Sequence, residues 1–280
     1  LVAFGMIGTS LSGVTFISVP GTVGANGFGY LQVVIGNWIG FTAIALILLP
    51  LYYRLRLTSI YDYLGQRFGV TAHKTGAAFF ILSRTFGATA RLYLVVAALQ
   101  LLVADRVGIP FGVSTGVILL MIWLYTYRGG VKTIVFTDTL QTAFMLGGLL
   151  ICVVYLSDAL AGGMGAGLTL VLESPMSTVW NTSGSSAGFW LKQIAGGAFI
   201  AIAMSGLDQE MMQKNISVPV IRDAQKNMFT FSAIFVGVNL LFLVLGAFLA
   251  LFAAAHGVTA RGDALFPAVV MEYFPPWVQG

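Results

Sequence analysis

Seven long apolar stretches constrain the fold of this 280-residue chain more than any other feature of its sequence. A helix needs about 20 predominantly apolar residues to cross the hydrocarbon core of a bilayer, and each stretch reaches or nearly reaches that length. The runs are continuous and do not alternate with a period of two, which predicts transmembrane helices and not a β-barrel. They cover residues 1–23, 30–53, 76–104, 110–127, 133–157, 188–207 and 228–255.

The composition excludes several classes of protein. Only 9% of the residues are charged and 58% are hydrophobic, whereas soluble domains carry about 25% charged residues. The chain is therefore neither a soluble globule nor a disordered segment, which requires low hydrophobicity and high charge. The single cysteine, Cys152, rules out a disulfide framework. Basic residues flank the apolar stretches and form no single patch, so no nucleic-acid partner is predicted.

The Lys and Arg residues of the connections predict the orientation, because cytoplasmic loops carry an excess of them. Nine lie on one side and three on the other, so the first stretch is predicted to begin inside the cell and the seventh to end outside. The nine are Arg54, Arg56, Arg67, Lys74, Arg128, Lys132, Lys214, Arg222 and Lys226. The three are Arg106, Lys192 and Arg261.

The connections predict one membrane domain with two distinctive segments. Residues 54–74 are predicted to form an amphipathic stretch at the cytoplasmic interface, and residues 158–187, rich in Gly, Ser and Thr, an external loop. His73 and His256 are predicted to lie in loops and lack neighbours at metal-ligand spacing. The chain begins within an apolar run without an initiator methionine and stops in mid-connection, so we expect an internal fragment of a longer protein.

The first stretch is crowded with small residues where a lipid-facing helix would carry Leu, Ile and Val. They are Gly5, Gly8, Thr9, Ser10, Ser12, Gly13, Thr15, Ser18, Pro20 and Gly21. Such residues allow helices to approach closely. Gly and Pro also weaken a helix, and the freed carbonyls bind a cation when they line a cavity. Both interpretations are open at this point.

Three charged residues within the stretches are candidates for function, because charges inside a membrane normally face a cavity or a partner. Asp138 is the one acidic residue that lies within a predicted span. It is interpreted either as a cation ligand or relay, or as the structural partner of Arg128 or Lys132. Arg84 and Arg91 are seven residues apart and share a helix face. Arg91, nearer the middle, could clamp an anionic substrate bidentately. The alternatives are a buried ion pair, for instance with Asp138, or snorkelling of Arg84.

No motif supports an enzyme. The chain contains no HExxH or Walker A sequence, so it is predicted not to be an enzyme. The segment Gly206-Leu207-Asp208-Gln209-Glu210 is predicted to be a helix terminus at the cytoplasmic end of the sixth stretch.

Several of these residues together resemble the sodium/solute symporter family. Arg128-Gly129-Gly130 followed by Thr137-Asp138-Thr139-Leu140-Gln141 resembles its Gly-Gly…Thr-Asp-x-x-Gln signature. The segments 206–214 and 222–226 are similar to its Gly-x-Asp/Asn-Gln-x-x-x-Gln-Arg stretch and the Ala-Gln/Arg-Lys/Arg run that follows. Residues 12–21 are similar to its broken first core helix.

The resemblance implies an all-α membrane protein with the LeuT-type fold, in which two five-helix repeats have inverted topology. The seven stretches then correspond to core helices one to seven, with a first repeat at about 1–157 and the start of the second at about 188–255. Core helices eight to ten would follow Gly280, so the hydroxyl pair of helix eight that completes the family's main sodium site is missing from the chain.

The resemblance also implies roles for individual residues. The backbone carbonyls of Gly8 and Leu11 fall at the main sodium site, and Asp138 matches an aspartate linked to a second sodium site or to the sodium exit path. Ser10, Ser12 and Thr15 fall where side chains line the substrate cavity, and Ala201 to Ser205 would supply another part of it. Sugar transporters of the family carry Gln at the Thr15 position and Lys at the Phe235 position, so a hexose is not expected.

The function implied is a sodium-coupled symporter that moves a small polar organic solute into the cell by alternating access. Sodium is the expected coupling ion, and Arg91 favours a carboxylate-bearing solute. The expected location is the plasma membrane, the inner membrane in a bacterium, and the expected partners are the solute and the lipid bilayer, with no obligatory protein partner. The alternatives are a transporter-like sensor domain joined to a signalling module outside this chain, and a sodium leak.

Overall fold

The computed structural model describes residues 2–57, 59–100, 104, 108–127 and 130–275. These residues are predominantly helical and contain no β-strand, which confirms the predicted all-α class. The chain divides into two compact units. The first unit consists of Leu1–Arg54 and Thr137–Gly280, and the second unit of Leu55–Phe136. The assignment of the whole chain to one domain with two repeats stays a prediction.

The helices follow the apolar stretches. In chain order they are α1 (Val2–Ser10), α2 (Gly13–Asn26), α3 (Tyr30–Ala43), α4 (Leu49–Arg54), α5 (Ile60–Phe68), α6 (Val70–Leu99), α7 (Phe111–Tyr127), α8 (Gly130–Ala161), α9 (Met164–Glu173), α10 (Trp190–Ala201), α11 (Gln209–Ile216), α12 (Ile221–His256) and α13 (Leu265–Tyr273). Short 3₁₀ turns lie at Gly27–Gly29, Pro175–Ser177 and Gly262–Ala264, and π-helical segments at Ile44–Leu48 and Ile202–Gly206.

Several helical segments of the described residues are long and apolar enough to cross a bilayer. Three continuous runs meet this criterion, namely Gly13–Arg54, Val135–Ala161 and Ile221–His256. A fourth is the pair Trp190–Gly206 and Gln209–Ile216, whose axes differ by 67° across a short break. These runs support the prediction of a multi-span membrane protein.

The first apolar stretch is broken, as the resemblance implied. α1 ends at Ser10 and α2 begins at Gly13, so Leu11 and Ser12 separate the two helices. Ser12 has an extended backbone (φ −107°, ψ 172°), and its N–H donates to Thr15 Oγ1 at 3.3 Å. A threonine at the third helical position thus satisfies one of the backbone donors that a helix start leaves without an intrahelical partner.

The predicted amphipathic stretch contains α5, which starts with a capping box. The Asp62 N–H donates to Ser59 Oγ at 3.3 Å, and the Ser59 N–H donates back to Asp62 Oδ2 at 3.1 Å. His73, predicted to lie in a loop, is instead part of α6, and its Nδ1 lies 2.9 Å from the carbonyl oxygen of Tyr61. His256 likewise ends α12 and is not a loop residue.

The prediction of an external loop over residues 158–187 is wrong for its first half. α8 continues to Ala161, and α9 follows after two glycines of positive φ. The glycines of this segment suggested a loop, but Gly167 lets α9 approach Ser157 and Phe248, and Val171 is buried. Close packing therefore stabilises a helix that composition alone disfavours.

The helix of the sixth stretch ends at the predicted terminus, and a new helix follows it. After the break at Leu207 and Asp208 the chain enters α11, and α12 then begins at Ile221, well before its apolar part. With 36 residues, α12 is about 54 Å long at 1.5 Å per residue. This exceeds the hydrocarbon core of about 30 Å, so the helix has room for its charged first turns outside that core.

The closest helix packing described in the first unit joins α3 to α10 through glycines. A Cβ atom added at Gly40 would lie 2.5 Å from the Ala198 carbonyl oxygen, and one at Gly197 would collide with the Val33 carbonyl. A Cβ atom added at Gly196, the preceding residue of α10, would instead meet open space. Small residues at such contacts let helix backbones approach each other.

We therefore expect Gly197→Ala to lower the melting temperature of the purified protein, because overpacking a helix interface typically costs about 1–3 kcal/mol. Gly196→Ala is the matched control, and it should leave the melting temperature unchanged or raise it, since alanine favours helix. Thermal unfolding of both variants in detergent checks the prediction. Equal melting temperatures for the two variants would show that α3 and α10 do not pack this closely.

Candidate functional site

A charged cluster lies where α1, α8 and α11 meet, inside the first unit. Lys214 Nζ of α11 is 2.5 Å from Asp138 Oδ2 of α8. Thr9 of α1 completes the cluster, because its hydroxyl donates to the same Oδ2 at 3.0 Å and accepts a hydrogen bond from the Lys214 ammonium. Three elements distant in sequence thus share one carboxylate oxygen.

The cluster is shielded from solvent. The side chain of Lys214 is 3% exposed and that of Asp138 is 19% exposed. Removing two charges from water is expensive, and only a close partner with further hydrogen bonds compensates for the loss of hydration. The pair therefore depends on its short contact and on the Thr9 hydroxyl. It also fixes the approach of α11 to α1 and α8.

α1 approaches α8 closely because Gly8 has no side chain. A Cβ atom there would lie 2.5 Å from the Asp138 carbonyl oxygen and 2.7 Å from Thr142 Oγ1. Gln141 Nε2 donates to the Gly8 carbonyl at 3.3 Å, and Thr142 Oγ1 lies 3.0 Å from the carbonyl oxygen of Phe4. Close packing, one of the two interpretations of the small residues, is thus observed at this glycine. At Gly13 an added Cβ atom would meet open space.

α11 places Lys214 because the sixth stretch breaks and restarts. Asp208 is the N-cap of α11, and its Oδ1 accepts hydrogen bonds from the N–H groups of Glu210 at 3.0 Å and Met211 at 3.2 Å. Asp is among the preferred residues at this position because it satisfies donors that the helix start leaves free. At the break itself, the Tyr52 hydroxyl donates to the Gly206 carbonyl at 3.1 Å.

The predicted substrate residues of the first stretch lie at or next to its break. Ser10 and Ser12 are half-buried, and Ser10 Oγ lies 4.0 Å from Met211 Sδ of α11. The Thr15 hydroxyl is engaged with the Ser12 N–H, while the Leu11 side chain is 2% exposed. Ser10 thus contacts α11, and Ser12 and Thr15 lie at the break between α1 and α2.

Arg91 belongs to the second unit and is exposed there. Its Nε donates to the Gly87 carbonyl of its own helix at 3.2 Å. The Arg84 guanidinium lies 5.7 Å from the centre of the Phe80 ring. The described contacts of Arg91 neither support nor oppose a role in substrate binding, so that role stays a prediction.

Lys214 is the residue that sequence reasoning missed. It was counted among the cytoplasmic loop residues, but it lies in α11 with a buried ammonium. Removing it from that set does not change the predicted orientation. Arg128 and the Lys132 side chain, the alternative partners of Asp138, lie outside the described residues. Asp208 is the sequence signal that could have placed Lys214 in a helix, because a capping residue after an apolar stretch indicates the start of a new helix.

A polar cavity of about 790 Å³ lies at the predicted external ends of α2, α3 and α10. Its lining includes Asn26, Tyr30, Gln32, Trp180 and Gln193. Gln32 is 2% exposed, and within the described part of the chain its Oε1 has no hydrogen-bond partner.

Carboxylate, hydroxyl and backbone carbonyl oxygens are the groups that hard cations prefer. Asp138, Thr9 and the Gly8 carbonyl supply one of each beside the break in the first stretch. In the structure, the Lys214 ammonium contacts this carboxylate.

Comparison with known proteins identifies the family. The sequence profile described as "Sodium:solute symporter family" matches residues 1–280. The chain belongs to the sodium:solute symporter family. A relative, the sodium/sialic acid symporter SiaT of Proteus mirabilis (strain HI4320), is 24% identical over 245 residues, which make up 85% of this chain and 48% of that protein.

Two further comparisons extend this result. The human sodium/iodide cotransporter is 28% identical over 223 residues, 77% of this chain and 33% of that protein. The solved structure of a Na⁺-coupled sialic acid symporter in a substrate-bound outward-open state matches with a TM-score of 0.79 at 21% identity, over 99% of this chain and 58% of that one. The likeness confirms the predicted LeuT-type fold.

The chain spans about half or less of the length of these curated relatives. The relatives are transporters and not enzymes, in agreement with the class predicted from the sequence.

We expect Asp138→Asn to lower the melting temperature of the purified protein, because it leaves the Lys214 ammonium buried without a countercharge. Breaking one side of a buried pair typically costs about 3–5 kcal/mol. Adding Lys214→Met should recover part of the loss, since the double variant buries no charge at this place. Asp158→Asn, an exposed carboxylate of the same helix, is the control. If the melting temperature of Asp138→Asn equals that of the control, the pair does not stabilise the fold.

Proposed function

We propose that this chain is the part of a sodium-coupled secondary active symporter that moves a small polar organic solute into the cell by alternating access. The observation that carries the proposal is the cation-stabilising cluster at Asp138, directly beside the break in the first stretch. Transporters of this type bind ion and solute at broken helices near the bilayer midplane. We place the protein in the plasma membrane, the inner membrane if its source is a bacterium.

Sodium is the coupling ion of the proposal. In this proposal the carbonyls of Gly8 and Leu11 are ligands of the main sodium site, and the Asp138 carboxylate belongs to a second sodium site or to the sodium exit path. Sodium that raises the affinity for the solute must itself be bound more tightly when the solute is present, because the coupling between two sites is reciprocal. A membrane potential of about 100 mV contributes about 2.3 kcal/mol to the inward movement of each positive charge.

The solute is proposed to bind at the break of the first stretch, against Ser10, Ser12 and Thr15. Hydroxyl groups at this place can hydrogen-bond a small polar molecule. The polar cavity at the external ends of α2, α3 and α10 is a suitable entrance. The named relatives transport solutes as different as sialic acid and iodide, so the family alone does not determine the substrate. A carboxylate-bearing solute is preferred because Arg91 could bind it bidentately.

Uptake into proteoliposomes tests the proposal. The full-length protein that carries these residues is reconstituted and offered labelled acids, amino acids and sugars, with an inward sodium gradient or with choline in place of sodium. Accumulation of one class of solute above its equilibrium level, only with the gradient, is expected. If nothing accumulates while sodium still shifts the melting temperature, the result contradicts transport and favours a sensor.

Thr15 gives a sharper prediction, because its hydroxyl accepts a hydrogen bond from the Ser12 N–H at the break. Thr15→Val keeps the shape and removes the hydroxyl that is proposed to hydrogen-bond the solute, and the loss of one hydrogen bond is worth about 1 kcal/mol. We expect the KM for the solute to rise about fivefold and the sodium dependence of uptake to change less. Thr15→Ser retains the hydroxyl and serves as the control. Equal KM values for the two variants would exclude Thr15 from solute recognition.

Arg91 is tested with an anionic solute. Replacing a bidentate guanidinium removes a charge-assisted interaction, so Arg91→Gln should weaken uptake of a carboxylate-bearing solute about tenfold or more. Arg84→Gln removes a charge from the same helix and should have a smaller effect. Unchanged uptake of the anionic solute by Arg91→Gln would show that Arg91 is not the carboxylate clamp.

A further inference from the structure

The ammonium of Lys214 contacts the carboxylate oxygen at which the proposed function places sodium. Its Nζ is 2.5 Å from Asp138 Oδ2, and it donates a hydrogen bond to the Thr9 hydroxyl. A lysine ammonium and a sodium ion each carry one positive charge, and carboxylate and hydroxyl oxygens stabilise both. The structure therefore shows the cluster in a state in which the chain supplies its own cation.

Sodium bound at Asp138 Oδ2 would lie next to this ammonium, and the two positive charges would repel each other. Like charges repel strongly in a poorly hydrated interior, where the effective dielectric constant is far below that of water. The Lys214 side chain is 3% exposed and Asp138 is 19% exposed, so water screens the cluster weakly. Binding of sodium to the carboxylate thus requires the ammonium to withdraw, which the flexible four-carbon stem of lysine permits.

Withdrawal of the ammonium removes the charged link that joins α11 to α1 and α8. Another described side-chain contact between α11 and α1, from Ser10 Oγ to Met211 Sδ, is long at 4.0 Å. The residue after Lys214 in α11 is attached elsewhere. The Tyr53 hydroxyl of α4 lies within hydrogen-bond distance of the carbonyl oxygens of Asn215 and Val218, and Asn227 Nδ2 of α12 donates to Asn215 Oδ1 at 3.1 Å.

We propose that Lys214 is a tethered competitor of sodium for Asp138. Sodium displaces its ammonium, and the displacement removes the charged link of α11 to α1 and α8 while α4 and α12 still hold the adjacent Asn215. Lys214 thereby sets the sodium affinity and links occupation of the site to the position of a broken helix. This inference rests on the proposed function, because it assigns sodium to the Asp138 carboxylate.

Sodium affinity of the purified full-length protein tests the competition. Lys214→Gln removes the charge and keeps most of the length, Lys214→Arg keeps the charge, and Lys226→Gln removes an exposed lysine as the control. We expect Lys214→Gln to lower the sodium Kd about tenfold, a size usual for coupled sites. Lys214→Arg and Lys226→Gln should stay near the wild type. Binding is measured with labelled sodium and by the sodium-induced shift of the melting temperature.

The Asp138→Asn background makes the test specific. If the two cations compete for this carboxylate, adding Lys214→Gln to Asp138→Asn should no longer tighten sodium binding. A folded Lys214→Gln protein that binds sodium no more tightly than the wild type overturns the inference. So does a gain in affinity that persists without the Asp138 carboxylate.

A measurement on the unmodified protein covers the case in which Lys214→Gln does not fold. An amine-reactive reagent labels accessible lysines, and peptide mass spectrometry compares Lys214 with Lys226 in saturating sodium and in choline. We expect sodium to raise labelling of Lys214 several-fold relative to Lys226, since the displaced ammonium loses its buried partner. Unchanged or reduced labelling of Lys214 overturns the inference.

The two proposals fail in distinguishable ways. If the wild type neither binds sodium nor accumulates solute with a sodium gradient, the proposed function and this inference both fall. If the wild type does both and Lys214 responds in neither test, only the competition is wrong.

Discussion

The carboxylate of Asp138 and the ammonium of Lys214 lie 2.5 Å apart inside a helical membrane protein, and the surrounding geometry depends on keeping them together. Burying either charge without its partner would cost a large amount of free energy. The pair therefore requires α11 to turn back toward α8 and requires α1 to come close enough for the Thr9 hydroxyl to join. Gly8 permits that approach, because any side chain there would meet the backbone of α8.

Broken helices are the second consequence of placing polar chemistry in a membrane. Backbone groups released from a helix must find partners within the protein, since lipid offers none. The described breaks satisfy this requirement with side chains. Thr15 accepts from the Ser12 N–H, Gln141 donates to the Gly8 carbonyl, and Tyr52 donates to the Gly206 carbonyl. The Gly8 carbonyl is also a proposed cation ligand, and its described partner is a side chain.

The apolar helices followed from local signals in the sequence, because continuous apolar runs predict spans. The break in the first stretch followed from the family resemblance, since its small residues left close packing and a weakened helix both open. Asp138 was a candidate for function because a carboxylate within an apolar run is energetically costly and normally faces a cavity or a partner. Each of these inferences uses residues close together in the chain.

The partner of Asp138 could not be predicted in this way. Lys214 is 76 positions away, in a segment whose charges indicated a cytoplasmic loop, and only the fold of α11 places its ammonium at the carboxylate. The loop predicted over residues 158–187 failed for a related reason. Its glycines, which disfavour helix in isolation, permit the contact with Ser157 and Phe248 that stabilises α9. In both cases, tertiary packing overrides what the local sequence indicates.

The central claim is that the Asp138 carboxylate is where sodium enters this cluster. The most direct measurement is a pair of experimental structures of the full-length protein, one in saturating sodium and one in choline. The account predicts a short Lys214–Asp138 contact in choline, and in sodium an ion bound to Asp138 and Thr9 with the Lys214 ammonium moved away. An intact Lys214–Asp138 pair in saturating sodium, with the ion bound elsewhere, would contradict it.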